Sequence, residues 1–460
     1  MTSLSSTNVV LDGLKYPLPS SGAPASVRRK LQVSVEGTPV GTIFETGGVW
    51  GFEYDPSWME DPAKFSLAPS IPFHTGPLVD AASERPIQRF FDNLLPEEQQ
   101  RALMSRDAKV DPNDSFALLE FYGRETAGAL TLAPLGAERA PAGKVPLPDE
   151  ELQARLDSLP AVSLANAGRK KMSLAGAQHK MAIIMAPDGS FMEPVGSEAS
   201  THILKPDHQD RSSYAHSVIN EWFCMNLAKV AGLKTPAVHR RYVPSPVYVI
   251  ERFDREVVNG GVVRRFALDG CQLLDVSAHA KYKLSAGMFK QAANICAVPA
   301  VAKLEIARWM IFNCLIANGD CHLKNISFMP AGRGAYMVAP FYDLLSTGAW
   351  DMGAAPNNRW PNQSDLAFAI GQACRFGDLS KAELMAFLGE VGLSPTLAGR
   401  EIDKMATTVA AAAHQLCERL AIENQALIDR GVDSAAFEGE ARLVRQIVAV
   451  IGEMSRKLGR

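Results

Sequence analysis

Apolar and polar positions alternate in three segments that follow residue 30, LQVSVEG, GTPVGTIFE and GGVWGFEYD, and glycines mark the turns between them. Alternation with a period of two is typical of strands that bury one face, so these segments predict a β-meander. Pro86–Met104 has apolar residues at helical spacing, and ALTLAP near Leu130 predicts a further strand. The chain therefore begins with a strand-rich part.

A second strand-rich part follows PAGKVPLP at 141–148, which is predicted to be a linker because its prolines cannot join a helix or a central strand. MSLAGAQHKMAIIM predicts a turn and a strand, and THILKP and VYVIERFDR predict two more strands. Between the last two, SVINEWFCMNLAKVAGL predicts a helix that ends at Gly232. Beyond about Gly287, helical patterns dominate to Leu458, so two lobes are expected: a strand-rich front half and a helical back half.

Composition narrows the class of protein. The chain has 460 residues, 47% apolar and 21% charged, with 47 basic and 50 acidic side chains and a net charge of −3. A net charge this close to zero gives the protein no general electrostatic attraction to nucleic acid or to anionic membranes. The seven cysteines form no CxxC pair, which predicts reduced thiols, and no apolar run reaches the roughly 18 residues of a membrane span. The first 28 residues lack the apolar stretch of a secretion signal and are predicted to be a flexible tail, so a cytoplasmic location is expected.

The most informative stretch is LIANGDCHLKNISF, where an apolar helical run ends in a cluster of polar residues. Asp320 and Asn325 have the spacing DxxxxN of kinase-like phosphoryl-transfer sites, in which the acid orients the attacking hydroxyl and the carboxamide binds Mg²⁺. A second carboxylate is expected after a hairpin, and Asp343 in PFYDLLS meets that requirement. His322 and Lys324 could lie against a triphosphate.

The upstream sequence supplies the other parts of a nucleotide site. SLAGAQHK at 173–180 predicts a turn whose backbone N–H groups approach phosphate. Lys205 lies on a predicted strand and Glu221 on the next helix, the arrangement of a phosphate-binding lysine with an orienting carboxylate. ERFDR at 251–255 ends a strand where a hinge could bind adenine through its backbone. The sequence lacks GxxxxGK[ST], GxSxG and HExxH, so no Walker NTPase, hydrolase elbow or zincin is indicated.

The blocks SLAGAQHK, THILKP, VINEWFC, VIERFDR, LDGCQ, NGDCHLKN and FYDLLS resemble, in the same order, those of HipA-type serine/threonine kinases, toxins of bacterial type II toxin–antitoxin modules. FDNLLPEEQQR and GRETAGALTLAP resemble the N-terminal region of that family. The resemblance implies an α+β, two-lobed protein-kinase-like fold with an extra N-terminal subdomain and an all-helical C-terminal lobe. The expected boundaries are 1–28 for the tail, 29–140 for the HipA N-terminal subdomain, 149–255 for the kinase-like N-lobe and 256–460 for the helical C-lobe.

The resemblance also implies a role for individual residues. Asp320 would be the catalytic acid, Asn325 and Asp343 the magnesium ligands, and Glu221 an orienting residue. Ser173 would be autophosphorylated, and Cys321 departs from the glycine that often follows the catalytic acid in the family. The expected ATP-binding set is Ser173, Ala175, Gly176, Ala177, Gln178, Lys180, Lys205, Glu251, Phe253, His322, Lys324 and Tyr342.

The function that follows from the resemblance is an ATP- and Mg²⁺-dependent protein kinase that arrests growth. It would phosphorylate an aminoacyl-tRNA synthetase, bind a HipB-like helix-turn-helix antitoxin, and meet operator DNA mainly through that antitoxin. Two alternatives stay open at this point: a small-molecule or lipid kinase, and a non-catalytic corepressor that only binds antitoxin.

Overall fold

The structure is a computed structural model. It describes residues 9–11, 14–16, 29–174, 176, 178–332, 334–353 and 358–459, with backbone only at 9–11, 14–16, 165 and 166. Most of the predicted tail at 1–28 lies outside the described residues. Within it, β1 (Val9–Leu11) and β2 (Leu14–Tyr16) pair antiparallel.

The N-terminal subdomain is an antiparallel sheet in the order β6-β5-β4-β3-β7 with four helices. Its elements are β3 (Arg29–Val35), β4 (Thr38–Thr46), β5 (Val49–Tyr54), α1 (Pro56–Glu60), β6 (Leu78–Val79), α2 (Pro86–Asp92), α3 (Glu98–Ala108), α4 (Ser115–Tyr122) and β7 (Leu130–Pro134). The predicted meander is confirmed. The helix predicted at 86–104 is instead two helices, because Pro96 disfavours helical geometry at the residue before it and interrupts the run.

The N-lobe is a six-stranded sheet in the order β12-β13-β11-β9-β10-β8. Its elements are β8 (Gly143–Pro146), α5 (Asp149–Asp157), α6 (Leu164–Ala167), β9 (Met181–Met185), β10 (Phe191–Val195), β11 (His202–Pro206), α7 (Ser217–Val230), β12 (Val238–Tyr242) and β13 (Pro246–Glu251). The linker prediction at 141–148 was wrong: residues 143–146 form an edge strand that pairs with β10. An edge strand tolerates proline because one side of its ladder needs no N–H donor.

The C-lobe is mainly helical. Its elements are β14 (Arg255–Val258), β15 (Gly261–Arg264), β16 (Leu268–Asp269), α8 (Gly270–Leu273), α9 (Ala286–Ile295), α10 (Pro299–Leu315), β17 (Ser327–Pro330), β18 (Tyr336–Val338), β19 (Asp365–Ile370), β20 (Ala373–Arg375), α11 (Lys381–Val391), α12 (Pro395–Ile428) and α13 (Ala435–Leu458), with 3₁₀ turns at Ala278–Ala280 and Leu323–Asn325. The expectation of an all-helical lobe needs correction, since β16, β17 and β18 form a small antiparallel sheet. That sheet fixes the distance between the two segments that carry Asn325 and Asp343.

Helix α10 is the centre of the C-lobe core, with Trp309, Ile311 and Phe312 fully buried. It packs against α9, α12 and α13. Burial on nearly all sides explains why its sequence is apolar around the whole helix rather than on one face. Within the described part of the chain, none of the helices has the length and apolarity that a bilayer crossing requires.

Candidate active site

Three charged side chains from distant parts of the chain meet between the two lobes. Lys205 on β11 donates from Nζ to Glu221 Oε1 and Oε2 at 2.8 and 3.1 Å, and it also contacts Asp343 Oδ1. The side chains of Lys205 and Glu221 are 7% and 5% exposed, whereas that of Asp343 is 27% exposed. The lysine–glutamate pair predicted from the sequence is therefore present, and its lysine also contacts Asp343.

The local structure holds each member of this cluster. β11 pairs on one side with β13 and on the other with β9, so Lys205 sits within a central strand. Glu221 lies in the second turn of α7, which packs on that sheet. Asp343 has φ of +51°, a left-handed conformation that is uncommon outside glycine, asparagine and aspartate and that is found at functional sites.

Burial and charge pairing set the protonation states in the cluster. Burial would lower the pKa of Lys205, but Asp343 and Glu221 raise it above its ordinary value. Burial would raise the pKa of Asp343, but Lys205 and Lys180 hold it well below the usual range. Burial raises the pKa of Glu221, and Lys205 opposes this only in part. The lysine is thus charged and Asp343 is ionised at neutral pH.

The DxxxxN segment forms a tight loop at the end of α10. Asn318 Oδ1 accepts from the N–H of Asp320 at 3.0 Å, and Gly319 N donates to Thr347 Oγ1 at 2.7 Å. A Cβ on Gly319 would stand 2.8 Å from the carbonyl oxygen of Asp365, so the close approach requires glycine. Asn325 Nδ2 donates to the backbone oxygen of Asp320 at 2.9 Å, which leaves Oδ1 as the atom that could bind a cation.

The carboxylate of Asp320 is 46% exposed and has a neighbour that the sequence did not reveal. The Tyr282 hydroxyl donates to Asp320 Oδ1, and the Tyr282 ring lies edge-on to His322 with 5.0 Å between centroids. His322 Nε2 is 3.8 Å from the same Oδ1. Burial lowers the pKa of His322 to about 3, so this imidazole is neutral and not a cationic phosphate ligand.

The turn at 173–180 brings Lys180 towards the cluster. Gly176 has φ of +106°, and a Cβ built on it would stand 2.6 Å from Lys180 Nζ. Gln178 Nε2 donates to the backbone oxygen of Pro206 at 3.0 Å, which ties the turn to the end of β11. Burial and the nearby charge of Lys205 lower the pKa of Lys180 to about 8. Ala175 and Ala177, also predicted to bind ATP, lie outside the described residues.

Ser173 is fully buried in this structure. Its hydroxyl donates to the Leu94 backbone oxygen at 2.7 Å, and its N–H donates to the Glu125 backbone oxygen at 2.7 Å. Both acceptors belong to the N-terminal subdomain. The turn is therefore docked through its first residue, and Ser173 itself faces protein.

The prediction that Lys324 contacts phosphate needs correction. Its side chain is 3% exposed, and its ammonium group donates to Asn93 O at 2.7 Å and Asn93 Oδ1 at 3.0 Å, with Asp269 Oδ2 at 3.2 Å. Glu97 lies 3.5 Å away. A 3₁₀ turn at 323–325 directs successive side chains to different sides, so Lys324 joins the DxxxxN loop to the N-terminal subdomain while Asn325 stays beside Asp320.

The predicted hinge begins at Glu251, the last residue of β13. Glu251 is exposed and its N–H donates to Ala237 O at 2.9 Å, as a strand-end residue would. Phe253 stacks on Tyr342 with 5.6 Å between ring centroids and 20° between planes. Tyr342 precedes Asp343 and donates to the backbone oxygen of Lys324 at 2.8 Å. This aromatic pair joins the hinge to the segment that carries the late carboxylate.

A buried ionic network, also not foreseen, lies beside the hinge. The Glu125 carboxylate is fully buried and accepts from Lys170 at 2.7 Å, Arg255 at 2.8 Å, and both Arg252 and Arg264 at 3.1 Å. The only sequence signal was that GRETAGALTLAP and VIERFDR carry charged residues inside apolar blocks. The network links the N-terminal subdomain, the segment before Ser173 and the hinge.

Cys321, which stands where the resembled family often has glycine, fits without disturbing the loop. Cys321 is buried beneath the loop and shares a small cavity with Cys314 and Phe376. The thiol thus points into the C-lobe core rather than crowding the loop. All seven cysteines are free, and five of them are buried.

Comparisons with known proteins agree with this arrangement. The family model for the HipA-like C-terminal domain matches residues 172–415, and the model for the HipA N-terminal domain matches residues 31–133. The chain is 34% identical over 438 residues to a protein of Sinorhizobium fredii named putative kinase Y4mE, across 91% of this chain and 99% of that protein. It is 29% identical over 388 residues to the serine/threonine-protein kinase toxin HipA of Shewanella oneidensis, across 79% of this chain and 83% of the toxin.

The fold also matches a solved structure. A chain of the Shewanella oneidensis toxin–antitoxin complex of HipA, HipB and operator DNA superimposes with a TM-score of 0.75 at 25% identity. The match covers 93% of this chain and 97% of the solved one. The similarity therefore includes both the N-terminal subdomain and the two lobes.

Proposed function

Because the chain belongs to the HipA family of kinase toxins, we propose that it is an ATP- and Mg²⁺-dependent serine/threonine protein kinase that acts in the cytoplasm on an aminoacyl-tRNA synthetase. The observation that supports this most is the buried contact of Lys205 with both Glu221 and Asp343. In protein kinases, a strand lysine held by a helix glutamate binds nucleotide phosphates, and a late aspartate binds the metal.

The donor set suits the proposed ligands. Asp343 is an ionised carboxylate and Asn325 offers an amide oxygen, which are ligands that Mg²⁺ prefers. Among the described residues no group of three or more His, Cys, Asp or Glu side chains could hold a metal, so phosphate oxygens would complete the coordination. Magnesium, when bound, would neutralise charge on the phosphates. Lys180 and Lys205 place positive charge beside the same carboxylate.

Asp320 would perform the proton chemistry. The acceptor hydroxyl of a serine or threonine donates a hydrogen bond to the carboxylate, and its oxygen forms a bond to the γ-phosphorus of ATP. The bond from that phosphorus to the β–γ bridging oxygen breaks, and ADP leaves. The hydroxyl proton passes to Asp320 and then to solvent, so atoms and charge balance. The exposed half of the Asp320 side chain gives a protein substrate access.

The proposed partner is a HipB-like helix-turn-helix antitoxin. The matched structure contains HipA, HipB and operator DNA, and the match spans nearly the whole chain. A net charge of −3 gives this chain no general attraction to DNA, so contact with operator DNA would come mainly through the antitoxin.

Incubation with radiolabelled ATP, Mg²⁺ and a panel of purified synthetases tests the proposal. We expect label on a serine or threonine of one synthetase, and a roughly 10²–10⁴-fold slower transfer by Asp320→Asn because the proton acceptor is lost. Asp429→Asn, at an exposed position at the end of α12, is the matched control and should transfer label at the wild-type rate.

Three results would contradict the proposal. Transfer only to small alcohols or lipids would indicate a small-molecule kinase. ATP binding without transfer to any acceptor would indicate a non-catalytic corepressor, and undiminished transfer by Asp320→Asn would remove the catalytic role of that residue.

We also propose that Ser173 is autophosphorylated and that this inactivates the enzyme. A phosphoryl group adds nearly two negative charges. On Ser173 they would face the Leu94 carbonyl oxygen, which can donate no hydrogen bond, in a fully buried position. The turn would have to leave its docked position, and Gly176 and Lys180 would leave with it.

Intact-mass analysis after incubation with ATP and Mg²⁺ checks this expectation. The wild type should gain one phosphate on Ser173 and lose activity in parallel, whereas Asp320→Asn should gain none. Ser173→Ala should lose activity more slowly than Ser212→Ala, a control in an exposed loop. Equal phosphate on Ser173 in wild type and Asp320→Asn would exclude autocatalysis.

A further inference from the structure

The hydroxyl of Tyr282 donates to Oδ1 of Asp320, the proposed proton acceptor. Tyr282 is 40% exposed, and the Asp320 side chain is 46% exposed. The backbone of Asp320 is fixed by the loop, but a half-exposed carboxylate can still rotate about its χ angles unless another group holds it. Tyr282 is the described side chain that makes this contact at hydrogen-bond distance.

Tyr282 is itself held on both sides. The preceding residue, Lys281, accepts from the N–H of Leu323 at 3.3 Å through its backbone oxygen, and its ammonium group lies 2.5 Å from Glu97 Oε2. The Tyr282 ring packs edge-on to His322, with an angle of 82° between the rings. A side chain anchored through its neighbour and through its ring is suited to holding a partner in place, not to swinging in and out.

We propose that Tyr282 is a positioning residue for phosphoryl transfer, which keeps one oxygen of Asp320 engaged so that Oδ2 faces the acceptor hydroxyl. The inference rests on the proposed function, since it assigns to Tyr282 a role in the reaction of Asp320. Orientation of reacting groups contributes much of an enzyme's rate, and small misplacements of a catalytic group are costly. Tyr282 acts only through Asp320 and touches no phosphate.

The competing interpretation is that Tyr282 occupies the place of the substrate hydroxyl. In that case the protein substrate would have to displace it, and removal of the hydroxyl would speed the reaction. The two interpretations predict opposite signs for one substitution, so a single comparison separates them.

Tyr282→Phe removes the hydroxyl and keeps the ring against His322. We expect kcat for transfer to the acceptor to fall roughly tenfold while the KM for ATP changes less than about twofold, since only the orientation of Asp320 is affected. Tyr214→Phe, with similar exposure of 42%, is the control and should leave both constants unchanged. An unchanged or raised kcat in Tyr282→Phe would overturn the inference.

A double-mutant cycle distinguishes a positioning role of Tyr282 from a purely structural one, because only a positioning role makes the losses in kcat non-additive. Because Tyr282 acts through Asp320, adding Tyr282→Phe to Asp320→Asn should cause no further loss, so the two effects should be non-additive. Additive losses would contradict the inference. If Asp320→Asn retains full activity, the proposed function fails in its catalytic assignment; if Asp320→Asn is slow and Tyr282→Phe matches the wild type, only the inference fails.

Discussion

Lys205→Met is expected to slow phosphoryl transfer strongly and to destabilise the fold. The substitution leaves Glu221 and Asp343 next to each other without their shared cation. Removing one partner of a buried ionic group typically costs about 3–5 kcal/mol in the free energy of unfolding. Loss of a preorganised cation at the transferring phosphoryl group should slow transfer by roughly 10²–10³-fold. Urea denaturation and the radiolabel assay measure the two effects.

A second variant separates activity from stability. In Lys205→Met/Glu221→Met, both members of the buried pair become apolar, which often costs little. Asp343 loses Lys205 but is 27% exposed and keeps the neighbouring positive charge of Lys180. We therefore expect the urea midpoint to recover most of the loss while transfer stays as slow as in Lys205→Met. If the double variant regains activity together with stability, Lys205 has only a structural role and the assignment of the site fails.

The sequence predicted the parts of the site that depend on local pattern. Lys205 could be placed on a strand because HILKP is a short apolar run, and Glu221 on a helix because of the spacing in VINEWFC. The order of the motifs predicted that these residues belong to one kinase-like site. The contact of Lys205 with Asp343 was not predicted and comes from the structure. Alternation predicted the strands of the N-terminal subdomain. Only the resemblance to a family indicated that they form a separate subdomain.

What the sequence could not predict depends on side-chain direction and on contacts between domains. Lys324 lies one residue from Asn325, yet a 3₁₀ turn sends it to Asn93 and Asp269 instead of the site. Tyr282 carries no motif, and only the fold brings its hydroxyl to Asp320. The strand at 143–146 could not be predicted because its prolines are compatible only with an edge strand, and the sequence does not show which strands lie at an edge.

Glu125→Gln is expected to cost about 3–5 kcal/mol in the free energy of unfolding at neutral pH, because it leaves Lys170, Arg252, Arg255 and Arg264 buried without the carboxylate that they share. The side chain is nearly isosteric, so the loss reflects charge and not volume. Glu198→Gln is the matched control: that carboxylate is 19% exposed and lies 3.4 Å from the half-exposed Lys144, so its removal should cost less than about 1 kcal/mol.

The difference between wild type and Glu125→Gln should depend on pH. Burial would raise the pKa of Glu125, but Lys170, Arg255 and Arg252 hold it well below its ordinary value. A carboxyl group with a depressed pKa in the folded state contributes stability above its unfolded pKa of about 4.3, and this contribution is lost as the pH falls through the folded value. Urea midpoints of the two proteins should therefore be well separated at pH 7 and converge as the pH falls below about 4. A separation that stays constant down to acid pH would mean that the loss comes from packing, and that the Glu125 charge does not hold the N-terminal subdomain, the segment before Ser173 and the hinge together.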